Sequence, residues 1–427
     1  MKQKGTTKTT GSLVRKEKRG SITAYELTNN GLRVLYARVP KSETITTSIV
    51  YNVGSRHEET GDTGLAHMLE HMLFKPTTGT GTKWKDLENK GAHLNATTWL
   101  DRTLYYFTLP KEYLGGMLEV EADRMRNTLL TDAEFLPERA NVLSEYEIQN
   151  STPSEVLAWN VIATAFQNHG YHHDTIGWRG DIERYTTTQL KRFYDRYYWP
   201  NNATLIVAGD VDEKTLMKEV SAKFGHITRG QVYTLPVRVE AEQTGVRRAS
   251  LVRETPLRVM YIAFKAPAFT HPDWLPLSLA LSHLTVGETS PFHKALVDSG
   301  LLSDISASMY PTHDPYLGFF TMHASENATY ETIEDTFFQS LEREKKKGVS
   351  TRKLALLKES LLSEEAKSRD GSRNIALTLS EYVASGDWKR FTNSERDIEK
   401  IKVADIHRVM RTYLTKDRAT IGNLKRP

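Results

Sequence analysis

DIERYTTTQLKRFYDRYYWPNNAT, residues 181–204, returns 216 residues later as DIEKIKVADIHRVMRTYLTKDRAT, residues 397–420. The two stretches align without a gap and share their Asp-Ile-Glu start, an arginine, a tyrosine and a closing Ala-Thr pair. Apolar residues recur at matching positions, and each copy is predicted as a helix followed by a strand. Because the offset is close to half of the 427-residue chain, the pattern predicts two similar halves produced by duplication.

Strands and helices are mixed within each half. Residues 22–39, ITAYELTNNGLRVLYARV, are predicted as a β-hairpin with Asn29, Asn30 and Gly31 at its turn. TTSIVYNVGS and RTLYYFTLP are predicted as further strands, and KEYLGGMLEVEADRMRN as a helix. A hairpin requires antiparallel pairing, so the predicted class is α+β, with two homologous tandem domains that each hold a mostly antiparallel sheet packed with helices.

The predicted domain limits follow changes in composition along the chain. Residues 1–20 are basic, rich in Gly and Thr, and lack the apolar block of a signal peptide, so a flexible basic arm is expected. Residues 229–250 are polar without helical periodicity and are predicted as a linker. One domain is therefore expected at 21–228 and its homologue at 251–427.

Composition excludes several classes of protein. The mean hydropathy is −0.50 and the sequence has no run of eighteen apolar residues, so no membrane span is predicted. The net charge of +4 is too small to indicate nucleic-acid binding. The absence of cysteine excludes disulfides, thiolate nucleophiles and cysteine metal ligands. A cytoplasmic location is favoured because no signal peptide is recognised, and a periplasmic one stays open if the sequence is a mature form.

The stretch GLAHMLEHMLF, residues 64–74, reads as an amphipathic helix with three residues that do not suit a core: His67, Glu70 and His71. Residues four apart are neighbours on a helix, so the two imidazoles can converge on one ion. A single helical histidine is more often structural or solvated than a ligand. The order H-x-x-E-H is much rarer and is the signature of the inverzincins, so it favours a zinc peptidase.

A catalytic zinc needs a third protein ligand and an open position for water. A helix predicted from Pro137 to Asn150 offers three carboxylates. Glu138 and Glu145 are seven residues apart and therefore lie on nearly the same face, whereas Glu147 points elsewhere and is expected in solvent. Spacing alone does not choose between Glu138 and Glu145, and each also fits an exposed helix charge.

Several segments, in order along the chain, resemble those of the pitrilysin family of zinc peptidases. They are GLAHMLEHMLFKPT, GAHLNATTWLDRTLYYFTLP, PERANVLSEYEIQN and the long stretch from YHHDTIGWRGD to AGDVD. The resemblance implies a zinc-bearing catalytic N-terminal domain and a non-catalytic C-terminal one. It also implies one Zn²⁺ per chain, Glu145 as the third metal ligand after His67 and His71, and Glu138 as a supporting carboxylate.

The implied reaction is endoproteolysis of extended or unfolded peptides. Zinc lowers the pKa of a bound water from 15.7 to about 7, and Glu70 would act as the general base that takes its proton. By the same resemblance, Asn95 and Ala96 lie on an edge strand that pairs with the substrate backbone. Without the resemblance, Asn95-Ala96 is equally well an ordinary strand start.

One part of the family pattern is missing. Relatives that work alone or as homodimers carry an Arg and a Tyr in a stretch like L-R-E-x-x-G-L-A-Y of the second domain. The matching stretch here is FHKALVDSGLLSDIS, where Leu296 and Ser303 occupy those positions. The expected partner is therefore a homologous subunit that carries the Arg/Tyr pair, with a homodimer as the other arrangement. The alternative function is a non-catalytic or weakly active peptide-binding or scaffold subunit of a hetero-oligomer.

The remaining histidines are expected to be structural. At the 216-residue offset His67 falls on His283, but Glu70 and His71 fall on Val286 and Gly287, so His283 is interpreted as a core or surface residue. The cluster His169, His172 and His173 lacks a carboxylate in helical register and is predicted to be a polar loop.

Overall fold

The protein is described by a computed structural model that covers residues 11–233 and 239–427. Half of the predicted N-terminal arm, residues 1–10, and the middle of the predicted linker, residues 234–238, lie outside the described residues. Within the described ranges, the strands of the first sheet are β1 Leu13–Arg19, β2 Ile22–Leu27, β3 Arg33–Arg38, β4 Thr44–Tyr51, β5 His93–Thr98, β6 Thr103–Pro110 and β7 Ala203–Gly209.

A second, smaller sheet follows in the C-terminal half. Its strands are β8 Arg247–Val252, β9 Val259–Ala266, β10 Leu302–Met309, β11 Tyr316–Ala324 and β12 Ala419–Lys425. The helices are α1 Leu65–Met72, α2 Lys83–Glu88, α3 Leu114–Asn127, α4 Asp132–Asn150, α5 Pro153–Ala165, α6 Arg179–Ile182, α7 Thr187–Tyr197, α8 Glu213–Phe224, α9 Trp274–Thr285, α10 Tyr330–Lys347, α11 Thr351–Lys367, α12 Gly371–Ala384, α13 Arg390–Glu399 and α14 Val403–Tyr413.

The two sheets have the same topology. The first has the order β1-β2-β3-β7-β4-β6-β5, and its last five strands correspond one by one to the order β8-β12-β9-β11-β10 of the second. In each, the central strand β7 or β12 runs parallel to one neighbour and antiparallel to the other, and the remaining pairs are antiparallel. The predicted α+β class with mostly antiparallel sheets is confirmed.

The sequence repeat is also a structural repeat. Helix α7 and strand β7 map onto α14 and β12 at the same offset of 216 residues, with both ends of each element in register. A short 3₁₀ turn joins the helix to the strand in each copy, at Pro200–Asn202 and at Lys416–Arg418. The helix-then-strand prediction for both copies is therefore confirmed.

Two compact units emerge, and each includes a helix from the other half of the chain. Helix α12 packs on β4 and β7 through Ala376, Leu379 and Val383, and helix α5 packs on the second sheet through Leu157. The predicted domains 21–228 and 251–427 divide the chain by sequence and stay a prediction. The units consist of Met1–Leu143, Thr175–Pro236 and Lys367–Thr392, and of Ser144–Asp174, Val237–Ala366 and Asn393–Pro427.

Three local predictions need correction. Residues Leu13–Arg19, assigned to the flexible arm, form β1 because their backbone pairs with β2 and Leu13 is buried. The linker ends earlier than residue 250, because Arg247 already begins β8 beside β12. Helix α4 begins at Asp132, so Pro137 lies within its second turn, where the missing N–H removes one i→i−4 hydrogen bond. Among the described residues, no helix is both long and apolar enough to cross a bilayer.

Candidate metal centre

Helix α1 places the H-x-x-E-H residues beside the first sheet. Its apolar residues Leu65, Met68, Leu69 and Met72 are buried, and the helix packs against β5, β6 and α7. This is the anchoring that the amphipathic pattern predicts. The helix ends at Met72, four residues before Pro76. Its buried face fixes the rotation of the helix, and therefore the direction in which the two histidines project.

Glu58 holds the start of α1 and was missed by sequence reasoning. Its carboxylate accepts hydrogen bonds from the backbone N–H groups of Gly64 and Ala66, both at 2.7 Å. Gly64 has φ = 89°, a left-handed conformation that favours glycine. Burial raises the pKa of Glu58 well above its usual range, against the effect of these two hydrogen bonds. A carboxylate at a helix N-terminus is a common cap, but the sequence does not show that Glu58 folds back onto Gly64.

The two histidine rings and Glu145 converge. The ring centroids of His67 and His71 are 4.8 Å apart at an interplanar angle of 82°. One ligand atom from each of His67, His71 and Glu145 lies within 4.8 Å of the others. Burial, and then the neighbouring His71, lower the pKa of His67 to about 3, so its imidazole is neutral at pH 7. Two imidazoles and a carboxylate are the donor set of a catalytic zinc site, so these residues fit the metal.

Helix α4 carries both candidate carboxylates. The division of the chain into two compact units falls within this helix, after Leu143. Glu145 is exposed and belongs to the converging cluster, whereas Glu138 is not part of it. Glu147 is exposed as well, two residues further on. No second group of three such ligands occurs in the described part of the chain.

Glu138 contacts His71 from the side. Its Oε2 lies 3.2 Å from His71 Nδ1, and its Oε1 accepts hydrogen bonds from Lys75 and, at 3.3 Å, from Asn141. Burial would raise the pKa of Glu138, but the hydrogen bonds from Lys75 and His71 outweigh it and the pKa is lowered. A carboxylate at Nδ1 is the usual outer contact of a histidine that binds a metal through Nε2. Lys75 was not identified from the sequence.

Glu70 lies on α1 with the two histidines and is only 9% exposed. Its Oε2 accepts a 2.6 Å hydrogen bond from the hydroxyl of Thr98, the last residue of β5. Sequence reasoning missed Thr98, although it stands in the quoted segment GAHLNATTWLDRTLYYFTLP. The contact ties the candidate base to the strand next to it.

Asn95 and Ala96 lie on β5, the edge strand of the first sheet. Both pair with β6 on one side, Asn95 with Tyr106 and Ala96 with Tyr105. The Asn95 side chain is exposed, and its Oδ1 accepts a 2.9 Å hydrogen bond from the Ala96 N–H. A strand at the end of a sheet offers its outer backbone groups to an added strand.

The second-domain positions differ in burial. Leu296 is fully buried in a short π-helical turn, His293–Val297, whereas Ser303 is exposed on β10. An arginine at the position of Leu296 would have to bury its charge in this arrangement. The side chain of Ser303 donates to the carbonyl of His323 at 3.3 Å.

The other histidines lie away from any such cluster of ligands. His283 is buried and lies 3.3 Å from Glu344, in agreement with a core residue. His169 does have a carboxylate partner, Asp314 at 3.1 Å, which is distant in sequence and was not foreseen. His172 and His173 contact backbone carbonyls through Nδ1, at 2.8 Å and 3.0 Å.

Comparison with known proteins identifies the family. Residues 33–177 match the family model described as Insulinase (Peptidase family M16), and residues 184–361 match the one described as Peptidase M16 inactive domain. The zinc protease PqqE of Helicobacter pylori is 30% identical over 405 residues, which cover 93% of this chain and 91% of that protein. The chain belongs to peptidase family M16, and the resemblance to the pitrilysin family is confirmed.

Two further comparisons, one of sequence and one of structure, also give peptidases. The mitochondrial-processing peptidase subunit beta of Lentinula edodes is 26% identical over 421 residues, with 92% of this chain and 88% of that protein covered. The crystal structure of a protease from Helicobacter pylori superposes with a TM-score of 0.88 at 28% identity, covering 96% of this chain and all of the other. Relatives named as zinc proteases support a zinc-dependent peptidase role for this chain.

Proposed function

We propose that this chain is the zinc-bearing catalytic subunit of a metalloendopeptidase that cleaves extended or unfolded peptides. The observation that carries the proposal is the convergence of His67, His71 and Glu145 from two separate helices. These three residues supply the donor types of a catalytic zinc, and one ion per chain is expected. The names of the relatives, zinc proteases and a processing-peptidase beta subunit, support the same class of reaction.

A zinc ion in this site would polarise the scissile carbonyl as a Lewis acid and lower the pKa of water to about 7. The chain prepares the ligands for it. Glu138 holds the His71 ring by its Nδ1 atom. This contact favours the tautomer in which Nδ1 carries the proton and Nε2 carries the lone pair that would bind the metal. Lys75 and Asn141 hold Glu138 in turn, so that its carboxylate keeps one orientation.

Glu70 is the proposed general base. Thr98 donates a hydrogen bond to its Oε2 and so holds the carboxylate in place, and this carboxylate would accept a proton from the attacking water. The water oxygen bonds to the carbonyl carbon, and the proton on Glu70 is then donated to the nitrogen of the leaving amine as the C–N bond breaks. The low exposure of Glu70 keeps this carboxylate away from bulk solvent during the transfer.

The open edge of β5 suggests the substrate class. A peptide that adds to this edge as another strand would be recognised by its backbone at Asn95 and Ala96, with little demand on its side chains. Only an extended or unfolded segment can present its backbone in this way. Folded proteins are therefore expected to be poor substrates.

A homologous subunit is the proposed partner. One relative is a mitochondrial-processing peptidase subunit beta, and this chain has Leu296 and Ser303 where the Arg/Tyr pair would stand. A partner with that pair would orient the substrate carbonyl that the zinc-bearing chain grips. A homodimer is the other arrangement, in which further residues of this chain supply that role.

The alternative function is a non-catalytic or weakly active peptide-binding or scaffold subunit. The missing Arg/Tyr pair and the match of residues 184–361 to an inactive domain favour it. The presence of Glu70 beside the complete ligand cluster favours the enzyme, since a scaffold has no need of a base.

Hydrolysis of an unstructured fluorogenic peptide tests the two functions. The purified chain is assayed after zinc loading, alone and with a homologous zinc-free subunit, and the same peptide sequence within a folded protein serves as the control substrate. We expect cleavage of the free peptide that is abolished by a chelator and by Glu70→Gln. Absence of cleavage with every partner tried, together with retained peptide binding, would favour the scaffold function.

A further inference from the structure

Arg102 forms hydrogen bonds with the C-terminal end of β5, the edge strand proposed to bind the substrate. This guanidinium is 8% exposed, and its Nη1 donates to the Thr97 carbonyl at 2.9 Å and to the Thr97 hydroxyl at 2.6 Å. The other side of the same guanidinium meets Glu381, with Nε donating to Oε1 at 3.0 Å and Nη2 donating to the same oxygen. Arg102 therefore connects Thr97 on β5 to a carboxylate on helix α12.

Glu381 belongs to the helix that the C-terminal half contributes to the first unit. Helix α12 is seated on the sheet by apolar contacts and by hydroxyl pairs, Ser48 with Ser380 at 2.8 Å and Thr46 with Ser372 at 3.2 Å. Its position is thus set by the body of the sheet. The carboxylate that holds Arg102 is part of this seated helix and reaches the end of β5 from there.

The turn between β5 and β6 is also held by backbone hydrogen bonds from Ser55 and Arg56. The carbonyls of Trp99 and Leu100 accept hydrogen bonds from the N–H groups of Ser55 and Arg56, at 3.2 Å and 3.1 Å. A Cβ at Gly54 would lie 2.0 Å from the Trp99 carbonyl oxygen, so the approach requires glycine. The backbone at this turn is therefore fixed, and Arg102 adds side-chain hydrogen bonds to the hydroxyl and the carbonyl of Thr97 beyond the pairing of β5 with β6.

Thr97 is followed directly by Thr98, whose hydroxyl donates to Glu70. We infer that Arg102, held by Glu381, is a positioning residue that sets Thr98 and, through it, the carboxylate of Glu70. The inference rests on the proposed function, in which Glu70 is the base. It assigns a role to a helix from the C-terminal half: that half takes part in the reaction by fixing the strand next to the base, although it carries no metal ligand set of its own.

A purely structural role for the Arg102–Glu381 pair makes different predictions. A buried pair that only stabilises the fold would lower thermal stability when broken and leave kcat per folded molecule unchanged. A positioning role lowers kcat at unchanged zinc content, leaves KM nearly the same, and is coupled to Thr98. The coupling can be measured because two residues that act along one path have non-additive effects.

The experiment compares Arg102→Met, Glu381→Gln, Thr98→Val and the Arg102→Met/Thr98→Val double variant. Each is a full-length chain, assayed for kcat and KM with the unstructured peptide under the conditions in which the wild type is active. Zinc content and thermal midpoint are recorded for each, and hydrogen exchange is followed in a fragment that covers residues 93–98. Thr98→Ser, which keeps a hydroxyl, is the conservative rescue.

Glu334→Gln is the matched control. Glu334 is a buried carboxylate on α10 that accepts two hydrogen bonds, at 2.7 Å and 2.8 Å, from Arg248 of β8, far in sequence from the site. The Glu334→Gln variant loses an Arg–Glu pair, as Glu381→Gln does. Neither Glu334 nor Arg248 takes part in the contacts described above for β5. We expect its kcat and its exchange at residues 93–98 to match those of the wild type.

We expect Arg102→Met and Thr98→Val each to lower kcat by about 10-fold, and the double variant to lower it by about 10-fold rather than 100-fold. Exchange at residues 93–98 should rise in Arg102→Met and Glu381→Gln, and Thr98→Ser should recover most of kcat. Unchanged kcat and exchange in Arg102→Met, or multiplicative losses in the double variant, would overturn the inference. An inactive wild type would instead contradict the proposed function, and the exchange data would then still report on the grip itself.

Discussion

Helices α1 and α9 occupy corresponding places in the two repeats, each packed against the repeated helix, α7 or α14. At the 216-residue offset His67 corresponds to His283, and both are largely buried. The helices differ at their C-terminal ends. Helix α1 continues through Glu70 and His71, whereas α9 ends at Thr285, before the positions that correspond to them.

The difference teaches what a metal centre requires beyond a histidine. In the first repeat His67 has a second imidazole one turn away and a carboxylate from α4 within reach. In the second repeat Val286 and Gly287 take the place of base and ligand, and Gly287 has φ = 85°, a turn conformation. His283 lies 3.3 Å from the carboxylate of Glu344. A histidine at the same repeat position therefore belongs to the candidate metal cluster in one half and to the core in the other.

The largest expected effect breaks the first site. His67→Ala combined with His71→Ala should remove the bound zinc and all peptide hydrolysis, because one carboxylate does not hold the ion. Elemental analysis of the purified protein measures the metal, with one zinc per chain expected for the wild type. His283→Ala is the comparison in the other repeat and should keep its zinc. Undiminished metal in the double variant would refute the ligand assignment.

Glu70→Gln separates chemistry from binding. The amide keeps the shape of the side chain and still accepts from Thr98, but it takes no proton, so kcat should fall by at least 10²–10⁴-fold with zinc retained, on the order typical of a lost general base. Glu147→Gln, an exposed carboxylate on α4, is the matched control and should leave kcat unchanged. Loss of zinc along with activity would make Glu70 a ligand instead.

Glu145 and Glu138 are distinguished by metal affinity. Glu145→Gln removes a carboxylate of the converging cluster and should weaken zinc binding severely. Glu138→Gln alters only the group that holds His71, and the expected loss is about 10–100-fold. Competition with a fluorescent zinc chelator measures both dissociation constants. The opposite order would assign the ligand to Glu138.

Much of the fold follows from local sequence. The hairpin at residues 22–39, the repeated helix and strand, and the buried face of α1 are periodic patterns that report directly on secondary structure. The H-x-x-E-H order likewise places two candidate ligands and a base on one helix. The predictions succeed where residues close in sequence are also close in space.

The failures involve residues that meet through tertiary folding. Glu58 caps α1, Thr98 contacts Glu70, and Arg102 reaches Glu381 on a helix almost three hundred residues later. No spacing rule connects such pairs, because their separation depends on which helix covers which sheet. For the same reason, the sequence does not show that α5 belongs to the second unit and α12 to the first. Likewise β1 forms a strand despite its basic composition because β2 offers it an edge.

A partner should supply what the second repeat lacks. Leu296 is buried and Ser303 is exposed at the positions where the Arg/Tyr pair would stand, so the isolated chain is expected to orient peptides poorly. Adding a homologous zinc-free subunit with the Arg/Tyr pair should raise turnover by roughly 10-fold or more, since positioning contributes several kcal/mol to catalysis. Turnover and mass by light scattering are measured on the same mixtures. Full turnover by the chain alone, unchanged by the homologue, would contradict the division of labour.

The smallest expected effect comes from replacing His283, the residue of the second repeat that corresponds to His67. His283 is buried against Glu344, and burial lowers its pKa even though Glu344 opposes the shift, so at neutral pH it contributes as an uncharged core side chain. His283→Ala should therefore leave zinc content and kcat unchanged while lowering the free energy of unfolding by about 1–3 kcal/mol, because Glu344 loses a buried polar neighbour. Urea denaturation followed by circular dichroism measures the difference. Lys347 lies 3.4 Å from Glu344 and remains in the variant, which keeps the expected loss below that of a fully unpaired charge. A fall in zinc content without a change in stability would show that the second repeat still takes part in metal binding, and the division between the two helices would then be wrong.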